Sequence, residues 1–129
     1  MDNTLNIKVL VVDDNQINRL LINKILTKWG VKTEFAENGV EALEKIDATP
    51  NYDVILMDLN MPKMGGIEAT EILRAKPDPY CKQVHIIALT AAVLNPETGE
   101  IGGMNDYILK PFEPAILFEK LSQLQQSHQ

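Results

Sequence analysis

Apolar and polar positions along this chain come in alternating blocks. Short, nearly continuous apolar runs such as Ile7–Val12, Asp53–Met57 and His85–Leu89 are separated by longer stretches in which apolar residues recur every three or four positions. A short run rich in Val and Ile reads as a buried strand, whereas recurrence at 3.6 residues reads as a helix. The pattern therefore predicts strands at Ile7–Val12, Thr33–Ala36, Asp53–Met57, His85–Leu89 and Tyr107–Leu109, with helices at Gln16–Trp29, Val40–Asp47, Gly66–Ala75 and Pro114–Gln125. Ile17, Leu20, Leu21 and Ile25 are the core stripe expected of the first helix, and Leu117, Phe118, Leu121 and Leu124 that of the last. Ile116 falls about 100° away from Leu117 and is expected to be exposed.

Punctuation supports these boundaries: Gly30 follows the first helix, Asn38-Gly39 marks a turn, and Pro114 suits a first helical position. Strands alternating with helices imply an α/β fold with a doubly wound parallel sheet. Within Ala91–Gly103, Gly99, Gly102 and Gly103 interrupt a stretch where Asn95-Pro96 could cap only a short helix, so a short or irregular fourth helix is expected there. With 129 residues, no internal repeat and no linker, the chain is expected to form one domain, 1–129, with its core at about 6–125.

Composition narrows the setting. Hydrophobic residues make up 45% of the chain, enough for a core without disulfides or a structural metal. The net charge of −6, with scattered basic residues, argues against nucleic acid as a partner. A lone Cys81, a Met-Asp-Asn-Thr start unlike a signal peptide, and no apolar run near the ~20 residues of a membrane span point to a cytoplasmic location without direct membrane contact. Any membrane connection would belong to a longer parent protein. His85 and His128 lack the spacing of metal ligands and read as structural or exposed.

The candidate chemistry sits at strand ends. Ile7–Val12 runs into Asp13-Asp14, Asp53–Met57 into Asp58, Ile86–Leu89 into Thr90, and Tyr107–Leu109 into Lys110. In an open parallel α/β sheet, ligands bind outside the carboxyl ends of the strands, near the point where strand order reverses. Three carboxylates gathered there are unfavourable unless a cation binds or a proton is taken up. A hard divalent ion such as Mg²⁺, bound by one or two carboxylates, waters and a phosphate oxygen, meets that need. With a hydroxyl and an ammonium beside them, the acids suit phosphoryl transfer, and Asp58 can act as nucleophile.

Each feature has a plainer reading when taken alone. Asp13-Asp14 could cap the first helix, Asp58 could open an inert loop, and Lys110 could be a solvated cation. Thr90 and Tyr107 also suit a strand for its own sake. Joint placement at strand ends is what favours chemistry.

The combination Val11-Val12-Asp13-Asp14-Asn15-Gln16-Ile17-Asn18, Met57-Asp58-Leu59-Asn60-Met61-Pro62, Leu89-Thr90-Ala91 and Asp106-Tyr107-Ile108-Leu109-Lys110-Pro111-Phe112 resembles the receiver domains of two-component signalling, over about the whole chain. The resemblance implies a flavodoxin-like five-stranded sheet of order 2-1-3-4-5. By the same resemblance, Asp13 and Asp14 are magnesium-binding acids, Asp58 is the phosphoacceptor and also a metal ligand, and Asn60 is a ligand through its carbonyl. Thr90 and Lys110 contact the phosphoryl oxygens, Tyr107 turns with Thr90 as the switch, and the Lys110-Pro111 bond is cis. Mg²⁺, with Mn²⁺ as a substitute, is the implied cofactor. Such a domain is not a conventional enzyme but catalyses its own phosphorylation and dephosphorylation.

The implied partner is a histidine kinase or histidine phosphotransfer domain, docking near the first helix; a homodimer is compatible. Asn15 and Asn18 resemble receivers of hybrid sensor histidine kinases, which leaves open a cytoplasmic part of a membrane-bound kinase. The alternatives are a stand-alone single-domain response regulator, a phosphate-independent docking module, or a phosphatase of the haloacid dehalogenase type. The last normally needs a second Asp where Asn60 stands. A flavodoxin is disfavoured because no Ser/Thr/Gly-rich phosphate loop follows Val12. Two departures from the receiver pattern are Gly65, where Asp is frequent, and a shortened interval between Thr90 and Lys110.

Overall fold

A computed structural model describes residues 5–59, 61–90, 103–110 and 113–127, with backbone alone for 125–127. The elements are β1 (Lys8–Val12), α1 (Gln16–Lys28), β2 (Lys32–Ala36), α2 (Gly39–Ala48), β3 (Val54–Asp58), α3 (Gly66–Ala75), α4 (Pro79–Gln83), β4 (His85–Thr90), β5 (Asp106–Leu109) and α5 (Pro114–Ser127). All five strands pair in parallel in the order β2-β1-β3-β4-β5, the flavodoxin-like arrangement.

Helices cover both faces, which is why the central strands are apolar at consecutive positions. Alternation within β1 sends Leu10 and Val12 towards one core, with Ala42 and Ile46 of α2 and Ala69 and Leu73 of α3. Val9 and Val11 enter the other, with Ile22 and Leu26 of α1 and Leu117 and Leu121 of α5. Trp29 closes this second core edge-to-face on Phe118, with ring centroids 4.9 Å apart.

The expected stripe on α1 is corrected. Ile17, Leu20 and Leu21 are 75%, 60% and 50% exposed, and the buried positions are Ile22 and Leu26, flanked by half-buried Ile25 and Trp29. At about 100° per residue, Ile22, Leu26 and Trp29 share one face with Ile25 at its border, and Ile17, Leu20 and Leu21 lie about 120–180° from Leu26. The helix carries apolar residues all round, and only its docking against the sheet chooses between the faces. The stripe on α5 holds, and Ile116 is 41% exposed, as its offset implies.

Local chemistry sets most ends. Gly30, at φ 73°, allows a paired helix stop in which Gly30 N–H donates to Thr27 and Val31 N–H to Leu26. Asn38 opens α2 by accepting from Glu41 N–H at 2.9 Å. Helix α4 was not expected: Asp78 caps it and Pro79 stands at its start, but five residues are too few for a periodic signal. The irregular helix expected within 91–103 falls, apart from Gly103, outside the described residues. Among those described, no helix is long and apolar enough to cross a membrane.

The amino end of the sheet is bolted by side chains. Tyr52 donates to Glu34 at 2.8 Å, Lys8 Nζ sits 3.1 Å from the same carboxylate, and Tyr80 donates to the Tyr52 carbonyl at 2.8 Å. The Tyr52 hydroxyl, then Lys8, holds Glu34 below the usual carboxylate range, while burial pushes the Tyr80 phenol up to about 12.

Arg74 performs a similar tie from α3. Its three guanidinium nitrogens donate to the Gly103 carbonyl (3.0 Å), the Cys81 carbonyl (3.1 Å) and Asn105 Oδ1 (3.0 Å), and Asn105 in turn accepts from Ile86 N–H at 2.8 Å. This seats the entry to β5 beside β4. Arg74→Met should lower unfolding stability by about 2–3 kcal/mol, and Arg74→Lys should recover less than half of that, since an ammonium cannot reproduce the fork. Urea denaturation followed by Trp29 fluorescence checks both.

Candidate active site

Register brings the strand-end residues together. Val12 pairs with Met57, so Asp13 and Asp58 are the next residues on neighbouring strands. Asp58 pairs with Leu89 and Thr90 with Leu109, which brings Thr90 and Lys110 to the same edge. Lys110 N–H donates to the Thr90 carbonyl at 2.7 Å, and Asp13 N–H to the Ala36 carbonyl at 3.1 Å. This edge is also where the order reverses, since β2 lies on one side of β1 and β3 on the other.

Asp13, Asp14 and Asp58 each offer a carboxylate oxygen, all within 4.8 Å of one another. Asp13 is fully buried, Asp58 is 8% exposed and Asp14 is open. Lys110 Nζ lies 3.3 Å from Asp13 Oδ2 and 3.3 Å from Asp58 Oδ2. Among the described residues, the Lys110 ammonium thus pairs with two of the three acids, both largely out of water, where uncompensated charge is costly. An arrangement of oxygen donors open on one side and short of positive charge fits a hard divalent cation.

The acids are not helix caps. Asn15 fills that position on α1, its Oδ1 accepting from Asn18 N–H at 3.1 Å. Asp13 Oδ1 instead accepts from Asn15 N–H at 2.9 Å, and its Oδ2 from Asn18 Nδ2 at 3.4 Å. Four groups therefore hold the Asp13 carboxylate or its peptide N–H in place, counting Lys110 and Ala36. A fifth contact was not foreseen from sequence: Arg19 donates to the Asp13 carbonyl oxygen.

The turn after Asp58 is packed against the strand end. A Cβ on Gly66 would fall 2.4 Å from the Asp58 carbonyl oxygen, and one on Gly65 2.8 Å from that of Leu59. Gly65 caps α3 without a side-chain bond, so the departure from the frequent Asp gives up a cap while letting the turn close on Leu59. Lys63 adopts φ 67° in this turn.

Thr90 is 5% exposed at the end of β4. Tyr107 is half-buried on β5, opposite Ala88, against the core that includes Met57 and Ala88. Asn60 and the Lys110-Pro111 bond lie outside the described residues. A cleft of about 610 Å³ lined by Tyr52, Tyr80, His85 and Leu124 lies at the opposite end of the sheet, away from the acids. Concavity alone would have picked the wrong end.

Comparison with known proteins agrees with this arrangement. Residues 9–122 match the family model described as response regulator receiver domain. Chemotaxis protein CheY1 of Helicobacter pylori is 41% identical over 117 residues, spanning 88% of this chain and 93% of that protein. The receiver domain of sensor histidine kinase PA1611 from Pseudomonas aeruginosa, solved with a magnesium ion coordinated in its active site cleft, superposes with a TM-score of 0.83 at 34% identity, covering 93% of this chain and 98% of that one. The Saccharomyces cerevisiae receiver domain of Ssk1, solved with the histidine phosphotransfer protein Ypd1, gives a TM-score of 0.83 at 29% identity, covering 97% of this chain and 92% of the other.

Because the Asp58 carbonyl leaves no room beside α3, Gly66→Ala should cost about 1–3 kcal/mol, whereas Ala75→Gly at the exposed end of the same helix should cost about 1 kcal/mol or less. Parallel urea titrations distinguish the clash from helix propensity.

Proposed function

The chain belongs to the response regulator receiver domain family of two-component signalling, and from that premise we propose that it is a phosphorylation-operated switch with Asp58 as the phosphoacceptor, residues 1–129 forming one receiver domain. The observation that carries this reading is the convergence of three carboxylates and Lys110 at one sheet edge. Asp13, Asp14 and Asp58, with the carbonyl of Asn60, would hold Mg²⁺, or Mn²⁺ in its place. When bound, the ion supplies positive charge to the acids and to the phosphoryl oxygens.

The chain's own residues do the rest. An Asp58 carboxylate oxygen forms the new P–O bond while the P–N bond of a partner's phosphohistidine breaks, its electron pair leaving with the imidazole nitrogen. Lys110, already beside Asp58, would turn to a phosphoryl oxygen, and the Thr90 hydroxyl would donate to another. Tyr107, half-buried next to β4, would follow Thr90 and alter the β5–α5 face, where Leu109 and Ile116 are 42% and 41% exposed. Attack of water on the phosphorus of the acyl phosphate would release inorganic phosphate and restore the carboxylate. The domain thereby catalyses its own phosphorylation and dephosphorylation.

We further propose a histidine kinase or histidine phosphotransfer domain as partner, docking on Ile17, Leu20 and Leu21. These residues form an exposed apolar face on α1, which follows directly from the Asp13-Asp14 turn. The likeness to Ssk1, solved with Ypd1, supports this partner class. Asn15 and Asn18, with the likeness to the PA1611 receiver, favour the setting of a hybrid sensor histidine kinase. A stand-alone regulator remains the second reading, because the match with CheY1 spans 93% of that protein.

Incubation with acetyl phosphate and Mg²⁺ should add one phosphoryl group by intact mass, and none in Asp58→Asn or in the presence of a chelator. No gain in the native chain from either acetyl phosphate or a phosphohistidine donor would refute the phosphoacceptor reading. Ile17→Glu combined with Leu20→Glu should slow transfer from a phosphohistidine partner at least about tenfold while leaving labelling by acetyl phosphate unchanged. Equal loss in both assays would argue against a docking role for this face.

A further inference from the structure

Arg19 is not among the acids or the phosphoryl-contacting groups, yet it reaches the backbone that carries them. Its Nη1 donates to the Asp13 carbonyl oxygen at 2.5 Å, and its Nη2 lies 3.4 Å from Glu37 Oε1. The Arg19 side chain is only 16% exposed, whereas Glu37 is 64% exposed. A largely covered guanidinium therefore spans from the β1–α1 turn to the β2–α2 turn. On the other side of the same residue, Asp13 N–H is held by the Ala36 carbonyl of β2.

The two Arg19 contacts differ in weight. The Glu37 pair is long and open to solvent, the kind of ion pair that contributes little. The bond to the Asp13 carbonyl is short, charge-assisted and partly covered, and such bonds are the strong ones. The peptide it grips joins Asp13 to Asp14, so any rotation there would carry the Asp14 carboxylate relative to Asp58. Asp14 is exposed, so burial does little to resist that rotation.

We infer that Arg19 is a positioning residue for cation binding: by fixing the Asp13-Asp14 peptide it keeps the exposed Asp14 carboxylate in register with the buried Asp13 and Asp58. The inference rests on the reading that these acids bind Mg²⁺. It makes a claim opposite in sign to simple electrostatics. Arg19 is a cation near a cation site, so if charge alone mattered, its removal would tighten Mg²⁺ binding. If positioning dominates, its removal weakens binding, by the factor of about 10–100 typical of lost outer-shell partners of metal ligands.

Isothermal titration of the full chain with Mg²⁺ decides between them, comparing native, Arg19→Met, Arg19→Lys and Glu37→Gln. Urea stability measured in chelator and the Mg²⁺ dependence of labelling by acetyl phosphate run in parallel. The Mg²⁺ dissociation constant should rise about tenfold or more in Arg19→Met, by a smaller factor in Arg19→Lys, and hardly at all in Glu37→Gln. The labelling rate at saturating Mg²⁺ should return towards the native value. A merely structural loss would instead lower the folded fraction and the binding stoichiometry, leaving the dissociation constant of folded molecules in place. Unchanged or tighter binding by Arg19→Met overturns the inference, and Arg19→Lys decides on the same terms if Arg19→Met does not fold. A native chain that binds no Mg²⁺ would overturn both this inference and the reading beneath it, whereas native binding with an unaffected Arg19→Met overturns this inference alone.

Discussion

Everything at the functional end of this molecule depends on holding like charges together against their repulsion. Asp13 and Asp58 are carboxylates at the ends of adjacent parallel strands, with carboxylate oxygens within 4.8 Å of each other and of Asp14, and the Lys110 ammonium lies 3.3 Å from each of the two buried ones. The acids do not choose this proximity. It is imposed by β1 and β3, whose residues Val9–Val12 and Val54–Met57 are essentially fully buried and cannot slip without exposing apolar side chains or breaking the ladder. Core packing supplies the energy that holds the acids together, and the resulting concentration of negative charge is what suits the site to a divalent cation.

The two ends of the sheet are accordingly built in different ways. At the amino end, Lys8, Glu34, Tyr52 and Tyr80 are joined in a chain of hydrogen bonds and an ion pair, and burial favours the neutral Tyr80 phenol. At the carboxyl end Asp13 and Asp58 are buried and only Asp14 is open to solvent. Asn15 relieves the acids of capping, and Asn18 and Arg19 reach back from the first turns of α1 to hold Asp13. The acidic end is held in shape through backbone and side-chain contacts from the first turns of α1.

Helix α1 is apolar on more than one side, but only one side enters a core. Ile22 and Leu26 anchor it to the sheet, which leaves Ile17, Leu20 and Leu21 on the surface beside the acidic turn. Exposed aliphatic residues grouped on one face beside the acidic turn form an apolar patch that folding leaves uncovered. The Arg74 tie from α3 holds Gly103 and Asn105 at the entry to β5, the strand that leads to Lys110 beside Asp58.

What the sequence determined by itself was the set of elements and the chemistry at their ends. Continuous apolar runs ending in Asp13, Asp58, Thr90 and Lys110 are legible because a buried strand needs apolar residues at every position and cannot absorb a charge until it stops. Strand order came from family resemblance, since five similar apolar strands fit many orders equally well, and only paired backbones reveal which are neighbours. The stripe on α1 was misjudged for a related reason: periodicity finds apolar faces but does not say which one meets the sheet. Helix α4 was too short to show a period, and Asn15 could not be separated from Asp13 and Asp14 as the cap until its side chain was seen accepting from Asn18 N–H. The hold of Arg19 on a carbonyl oxygen was beyond sequence reading altogether, because every residue carries a carbonyl. Local propensities are written residue by residue, whereas register, the choice of buried face and side chain to backbone contacts exist only once the whole chain has closed on itself, and those were decided by the tertiary structure.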